Sequence, residues 1–310
     1  MTKKILITGG TGFIGFHLAK KCLKLGWVVT SLSSKKPKKI RKLNKVKYII
    51  ADISKRNKLK KVINDKYDYV VNLAGYVDHS NKNKTVKSHY IGCKNIASIF
   101  IKSKIQKFIQ IGSSIEYGRI SSPHSEENYS KRKINSFYGE SKLLSSIHLM
   151  NLYKEYNFPV IILRLYLVYG PNQDPNRVIP FTILKSIFKK EFNCSNGKQF
   201  RDFLYIDDLI EAVIRSLKHK NLFGEIINIG QGKPIIIREL ILRISKIIGT
   251  GKPVFGKIKL RKDEMIKLYP KINKIKKLLK WKPKINLDQG LHKTINYYKK
   301  NKFEFLKFIK

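Results

Sequence analysis

Three cysteines, Cys22, Cys93 and Cys194, are all that the 310-residue chain contains, and they stand far apart with no C-x-x-C or His-rich spacing. That scarcity argues against a disulfide framework or a thiolate metal site and suits a reducing, cytoplasmic compartment; no metal is expected. Long apolar runs are also missing. No stretch approaches the roughly 18 uninterrupted apolar residues of a membrane helix, and the apolar part of "MTKKILITGG" is too short for a signal peptide, so it reads as a strand and no membrane partner is expected. Internal repeats, heptad arrays and low-complexity linkers are absent as well. With 42% apolar residues the chain can nevertheless bury a sizeable core.

Acidic side chains are the third shortage: 21 against 65 basic ones, for a formal net charge of +44. Lysine supplies 54 of the basic residues and arginine only 11. The lysines run through every segment together with many Ile and Asn, the pattern that a genome-wide composition bias produces. Such a surface attracts phosphates in a salt-dependent way. No helix-turn-helix, zinc-finger or RNP-like motif accompanies it, however, and no basic stripe is interleaved with aromatics, so a specific nucleic-acid partner is not expected. Phosphorylated small molecules are.

What is present is an alternation. The runs "KILITG", "WVVTSLS", "VKYIIAD", "YDYVVNLAG", "KFIQIGSS" and "PVIILRLYLVYG" are nearly continuous in apolar residues, as strands buried on both faces are. Between them lie amphipathic stretches such as "FHLAKKCLKLG" with i, i+3, i+4 spacing. The pattern predicts an α/β fold, a Rossmann-type doubly wound parallel sheet with a smaller C-terminal substrate-binding lobe. A dinucleotide-binding domain is expected over 1–170, with returns near 204–230, and a mainly substrate-binding lobe over 171–310, where Pro171, Pro175 and Pro180 break the regularity.

"TGGTGFIG" follows the first strand and opens a helix, with Gly9, Gly12 and Gly15 in G-x-x-G-x-x-G spacing. Glycine permits a tight turn and close approach of the backbone to a pyrophosphate, and the helix N-terminus faces the negative charge. A dinucleotide site is therefore expected, lined by Thr11, Phe13 and Ile14 of the same loop and by Leu73, Ala74 and Gly75 after strand four. An Asp or Glu at the end of strand two would hold the ribose of NAD. "TSLSSKKPKK" offers Ser33, Ser34 and Lys35 there and no acid, so NADP(H) is the preferred cofactor and NAD(H) the alternative. Asp52, with Ile53, ends strand three; its carboxylate suits an adenine amino group, and equally a turn.

In "SFYGESK", Tyr138 and Lys142 stand four residues apart, hence on one face of a helix. A free phenol, with a pKa of about 10, is a poor base at neutral pH, and a nearby ammonium favours the phenolate. A bare Y-x-x-x-K arises by chance in a lysine-rich chain. Order and distance give it weight: a glycine loop, then a strand ending in Ser-Ser, then the Y-x-x-x-K some 25 residues later.

Together with "NLAG", "SSIEYG", "LRLYLVYGP", "RDFLYIDD" and "LLKWKPKINLDQGL", these motifs resemble, nearly end to end, the extended short-chain dehydrogenase/reductase family of nucleotide-sugar epimerases, dehydratases and reductases. The resemblance implies Tyr138 as catalytic acid/base, Lys142 as the lysine that also holds the nicotinamide ribose, and Ser113 as the hydroxyl on the reacting sugar oxygen. Tyr117 becomes structural or substrate-lining. Dehydratases of the family carry an Asp-Glu pair after that Ser/Thr. Ser114 and Ile115 stand there instead, and Glu116, on an extended backbone, points the other way from Ile115.

Elimination is thereby disfavoured, which leaves hydride transfer at C4 of a nucleotide sugar. The segments "CSNGKQFRDFLYIDDL" and "LRKDEMIKLYP" look most like reductases of NDP-4-keto-6-deoxyhexoses, with NDP-sugar 4-epimerase as the alternative. A non-catalytic cofactor-binding regulator ranks below both. Substrate contacts are expected from His79, Ser114, Glu116, Arg177, Arg201 and Arg261. Two departures from the family stand out: Leu167 where relatives have a diphosphate-binding Asn, and His89 where an Asn often begins a helix. Relatives pair as homodimers through the Y-x-x-x-K helix, and a homodimer is expected here.

Overall fold

The computed structural model describes residues 2–76, 78, 81–128, 134, 136–260 and 264–308. Its elements begin with β1 (Lys4–Thr8), α1 (Phe13–Lys24), β2 (Val28–Ser33), β3 (Val46–Ile50), α2 (Arg56–Val62) and β4 (Tyr69–Asn72). Next come α3 (Lys82–Val86), a π turn (Lys87–Ile91) and α4 (Gly92–Phe100), then β5 (Lys107–Ser113), α5 (Phe137–Tyr156) and β6 (Val160–Leu165).

β1 to β6 form one parallel sheet in the order β6-β5-β4-β1-β2-β3. Every residue of β5 and β6 is buried, as expected for strands covered on both faces. The side-chain alternation of β1 divides the core: Ile5 and Ile7 join Leu18, Ala19 and Cys22 of α1 on one side, while Leu6 joins Ile96, Ala97 and Phe100 of α4 and Leu149 of α5 on the other. Each fully buried Ile, Leu or Phe contributes roughly 1.5–3 kcal/mol, so the helices are held by the sheet rather than by their own propensity.

The second half adds β7 (Leu167–Tyr169), α6 (Val178–Ile187), β8 (Glu191–Asn193), β9 (Phe200–Tyr205) and α7 (Ile206–Lys218), then β10 (Glu225–Ile229), β11 (Pro234–Ile236) and α8 (Ile237–Ile248). β12 (Lys252–Val254), β13 (Lys267–Leu268), α9 (Asn273–Leu279) and α10 (Leu287–Lys300) follow. β10 pairs with β6 and completes a seven-stranded sheet, and α7 packs on the α1 side. β7, β9, β11 and β13 make a small second sheet, and β8 pairs with β12. This is the Rossmann-type doubly wound fold that the alternating runs predict.

The strand order reverses between β1 and β4, and in such sheets ligands bind outside the carboxyl ends of the strands at that point. Among the described residues no helix is long and apolar enough to cross a membrane.

Candidate active site

The glycine loop sits at the reversal. Gly9 has φ +71°, and a Cβ on Gly15 would stand 2.5 Å from the Gly9 carbonyl oxygen and 2.6 Å from the Gly10 Cα, so the turn closes only on glycine. Gly12 is the N-cap of α1 and offers no side chain to the first-turn N–H groups, which leaves them for an anion. Ser33 reaches back from the end of β2, where its Oγ accepts from the Thr11 N–H at 3.2 Å. These features fit a dinucleotide pyrophosphate, and Thr11, Phe13 and Ile14 remain partly exposed on the loop.

Ser34 and Lys35 are exposed beyond β2. Asp52 is exposed and its Oδ1 accepts from the Ser54 N–H at 2.8 Å, the turn-forming arrangement. Ile53 follows Asp52 and faces the core. Its side chain is 6% exposed within the α4-side core and its carbonyl accepts from Asn95 Nδ2 at 2.9 Å, so it supports the wall of the cleft. Leu73, Ala74 and Gly75 follow β4 and are half-buried; the Ala74 N–H is 3.3 Å from Thr8 Oγ1.

Ser136 caps α5, accepting from the Gly139 N–H at 3.1 Å, and places Tyr138 in the first turn. Lys142, one turn on, is 6% exposed and donates from Nζ to the Ile111 carbonyl at 2.7 Å. A Cβ on Gly139 would lie 2.7 Å from Ile115 Cγ2. The helix therefore touches β5 two residues before Ser113 and the following turn two residues after it, which sets the first turns of α5 against the strand end at Ser113. Tyr138 is half-buried, with the His89 ring edge-on at 4.9 Å.

A family model described as the NAD dependent epimerase/dehydratase family matches residues 5–230. The chain belongs to that family. A putative UDP-glucose 4-epimerase of Methanocaldococcus jannaschii is 30% identical over 309 residues, covering 96% of this chain and 99% of that one. The dTDP-D-glucose 4,6-dehydratase of Homo sapiens is 28% identical, covering 96% and 91%. The solved UDP-glucuronic acid 4-epimerase of Bacillus cereus, in complex with UDP-glucuronic acid and NAD, is 28% identical with a TM-score of 0.84, covering 96% of this chain and 99% of that one. The family is that of NAD-dependent, extended short-chain dehydrogenase/reductase enzymes of nucleotide sugars, among them epimerases, dehydratases and decarboxylases.

Against this family frame, Glu116 is a correction. Residues Ser114–Tyr117 form a 3-10 turn, not extended backbone, so strand parity does not set where the side chain points. Glu116 is 0% exposed: Oε1 accepts from the Ser113 N–H at 2.7 Å, and Oε2 from Ser146 Oγ at 2.7 Å and Arg164 Nε at 2.9 Å. A carboxylate so engaged braces Ser113 and does not meet substrate. Tyr117 is buried as well; its hydroxyl donates to Asn228 Oδ1 at 2.7 Å and burial pushes its phenol up to about 12.

Ser114 is 5% exposed in the first turn after Ser113. Arg177 is exposed at the N-cap of α6. Arg201 is buried, pairs with Glu264 and donates to the carbonyls of Phe200, Met265 and Ile266, tying β9 to the segment before β13. His79 and Arg261 lie outside the described residues. Leu167 is 38% exposed. Sequence reasoning gave no role to Asn72, the first residue of "NLAG", or to Gln110, whose signal is a polar side chain inside a largely apolar strand.

Proposed function

We propose that the chain transfers hydride between NADP(H) and C4 of a nucleotide-activated hexose, reducing an NDP-4-keto-6-deoxyhexose. The observation that carries this is the convergence of Tyr138 and Lys142 on the strand end at Ser113, where Ser114 and Ile115 follow in place of an acid pair. The bound nicotinamide supplies the hydride. Ser113 holds the C4 oxygen, Tyr138 protonates it as it becomes an alkoxide, and Lys142 holds the nicotinamide ribose and favours the phenolate left behind. Arg177 and Arg201 are the candidate diphosphate contacts, Arg201 by exchanging Glu264 for the substrate.

Ser33, Ser34 and Lys35 support NADP(H) over NAD(H), because no acid stands where it would repel a 2′-phosphate. The exposed Phe137, Leu144 and Tyr156 of α5 support a homodimer. A 4-epimerase is the second reading, favoured by the epimerases among the relatives.

The enzyme is to be incubated with dTDP- and UDP-4-keto-6-deoxyglucose plus NADPH, and separately with UDP-glucose and UDP-glucuronic acid without added cofactor. Stoichiometric NADPH consumption with a keto sugar supports the reductase. Interconversion of C4 epimers with no net cofactor use replaces it with the epimerase.

A further inference from the structure

Thr8, Asn72 and Gln110 sit side by side on three adjacent strands: Thr8 pairs with Asn72 across β1 and β4, and Asn72 with Gln110 across β4 and β5. Their exposures are 0%, 1% and 2%, in the middle of the sheet. Buried amides are costly unless every polar atom finds a partner. Here they join head to tail. The Thr8 hydroxyl donates to Asn72 Oδ1, Asn72 Nδ2 donates to Gln110 Oε1 at 2.7 Å, and Gln110 Nε2 donates to the Ile111 carbonyl at 3.0 Å.

Both ends reach the site. At one end Thr8 Oγ1 accepts from Ala74 beside the glycine loop, and at the other the Ile111 carbonyl also accepts Lys142 Nζ at 2.7 Å. Reversing Gln110 would set its NH2 against that of Asn72, and reversing Asn72 would set its carbonyl oxygen against that of Gln110, so the sense of the ladder is determined by its neighbours. Bonds aligned in one sense polarise one another, and the row presents its N–H end to the carbonyl that also holds the ammonium.

We propose that Asn72 and Gln110 are positioning residues for Lys142: the amide ladder fixes the Ile111 carbonyl, and through it the ammonium, relative to the cofactor loop. An apolar residue at 110 would fill the sheet but leave that carbonyl with one donor fewer, and one at 72 would remove the amide donor that orients Gln110. The inference rests on the assignment of Lys142 to the reaction made above.

The test is trace acetylation of the full chain with acetic anhydride, read by mass spectrometry at Lys142 and at Lys107. Lys107 is the internal control: also buried, it donates to the carbonyls of His219 and Leu222, away from the ladder. In Gln110→Leu, acetylation of Lys142 should quicken about fivefold, the effect of losing one net hydrogen bond, with Lys107 unchanged. No change at Lys142, or an equal rise at Lys107, overturns the proposal. Should Gln110→Leu fail to fold, the paired Asn72→Leu/Gln110→Leu, which leaves neither amide orphaned, is read in the same way. The two claims fail separately: Tyr138→Phe or Lys142→Met with intact turnover defeats the catalytic assignment and leaves the labelling result standing.

Discussion

Glu116 and Arg164 form an ion pair of 2.9 Å whose side chains are 0% and 1% exposed, immediately behind Ser113. Removing one partner of such a pair leaves an uncompensated buried charge and costs about 3–5 kcal/mol. Glu116→Gln is therefore expected to lower the denaturant midpoint strongly in equilibrium unfolding, and Glu116→Gln/Arg164→Met to recover part of the loss. An unchanged midpoint in the single variant contradicts the bracing role.

The glycine loop makes a separate prediction. Gly15→Ala places a methyl 2.5 Å from the Gly9 carbonyl oxygen, so the loop must open. Titration calorimetry with NADPH and NADH should show affinity falling by about tenfold or more, some 1.4 kcal/mol.

Cofactor choice turns on Ser33. An aspartate there can still accept from the Thr11 N–H, so Ser33→Asp preserves the loop while adding a charge that repels a 2′-phosphate. The ratio of kcat/KM for NADPH over NADH should fall by about tenfold or more, one pKa-equivalent of charge interaction. A parent enzyme that already favours NADH would contradict the reading of "TSLSS" directly.

Lys107 carries a pH signature. Burial pushes its ammonium down from 10.5 to about 8. Between those two values the unfolded chain holds a proton that the folded chain has released, so stability rises with pH across this window, and below about pH 8 the group contributes no such rise. Urea midpoints at about pH 7 and about pH 10 should show a smaller gain for Lys107→Met than for the parent. An identical pH dependence would place the charge elsewhere.

The parts of the site defined by spacing could be read from the sequence alone: the glycine loop, the strand end at Ser113, and Tyr138 with Lys142 one helical turn on. Each depends on contacts within a few residues or on one helix periodicity. Glu116 was misplaced because a capping turn begins at Ser114, where the side-chain alternation of β5 ends. The core neighbours of Ile53 come from α4, far along the chain, and leave no local signal. The ladder from Thr8 to Gln110 needs the strand order and register, which put residues 64 and 38 positions apart side by side and leave no local trace beyond two polar letters in apolar runs.

The most direct test of the central claim is single-turnover hydride transfer from NADPH to an NDP-4-keto-6-deoxyhexose, followed by NADPH absorbance, in the parent and in Tyr138→Phe. The account predicts a rate lowered by about 10²–10⁴-fold with NADPH affinity retained. A near-parental rate in Tyr138→Phe contradicts it.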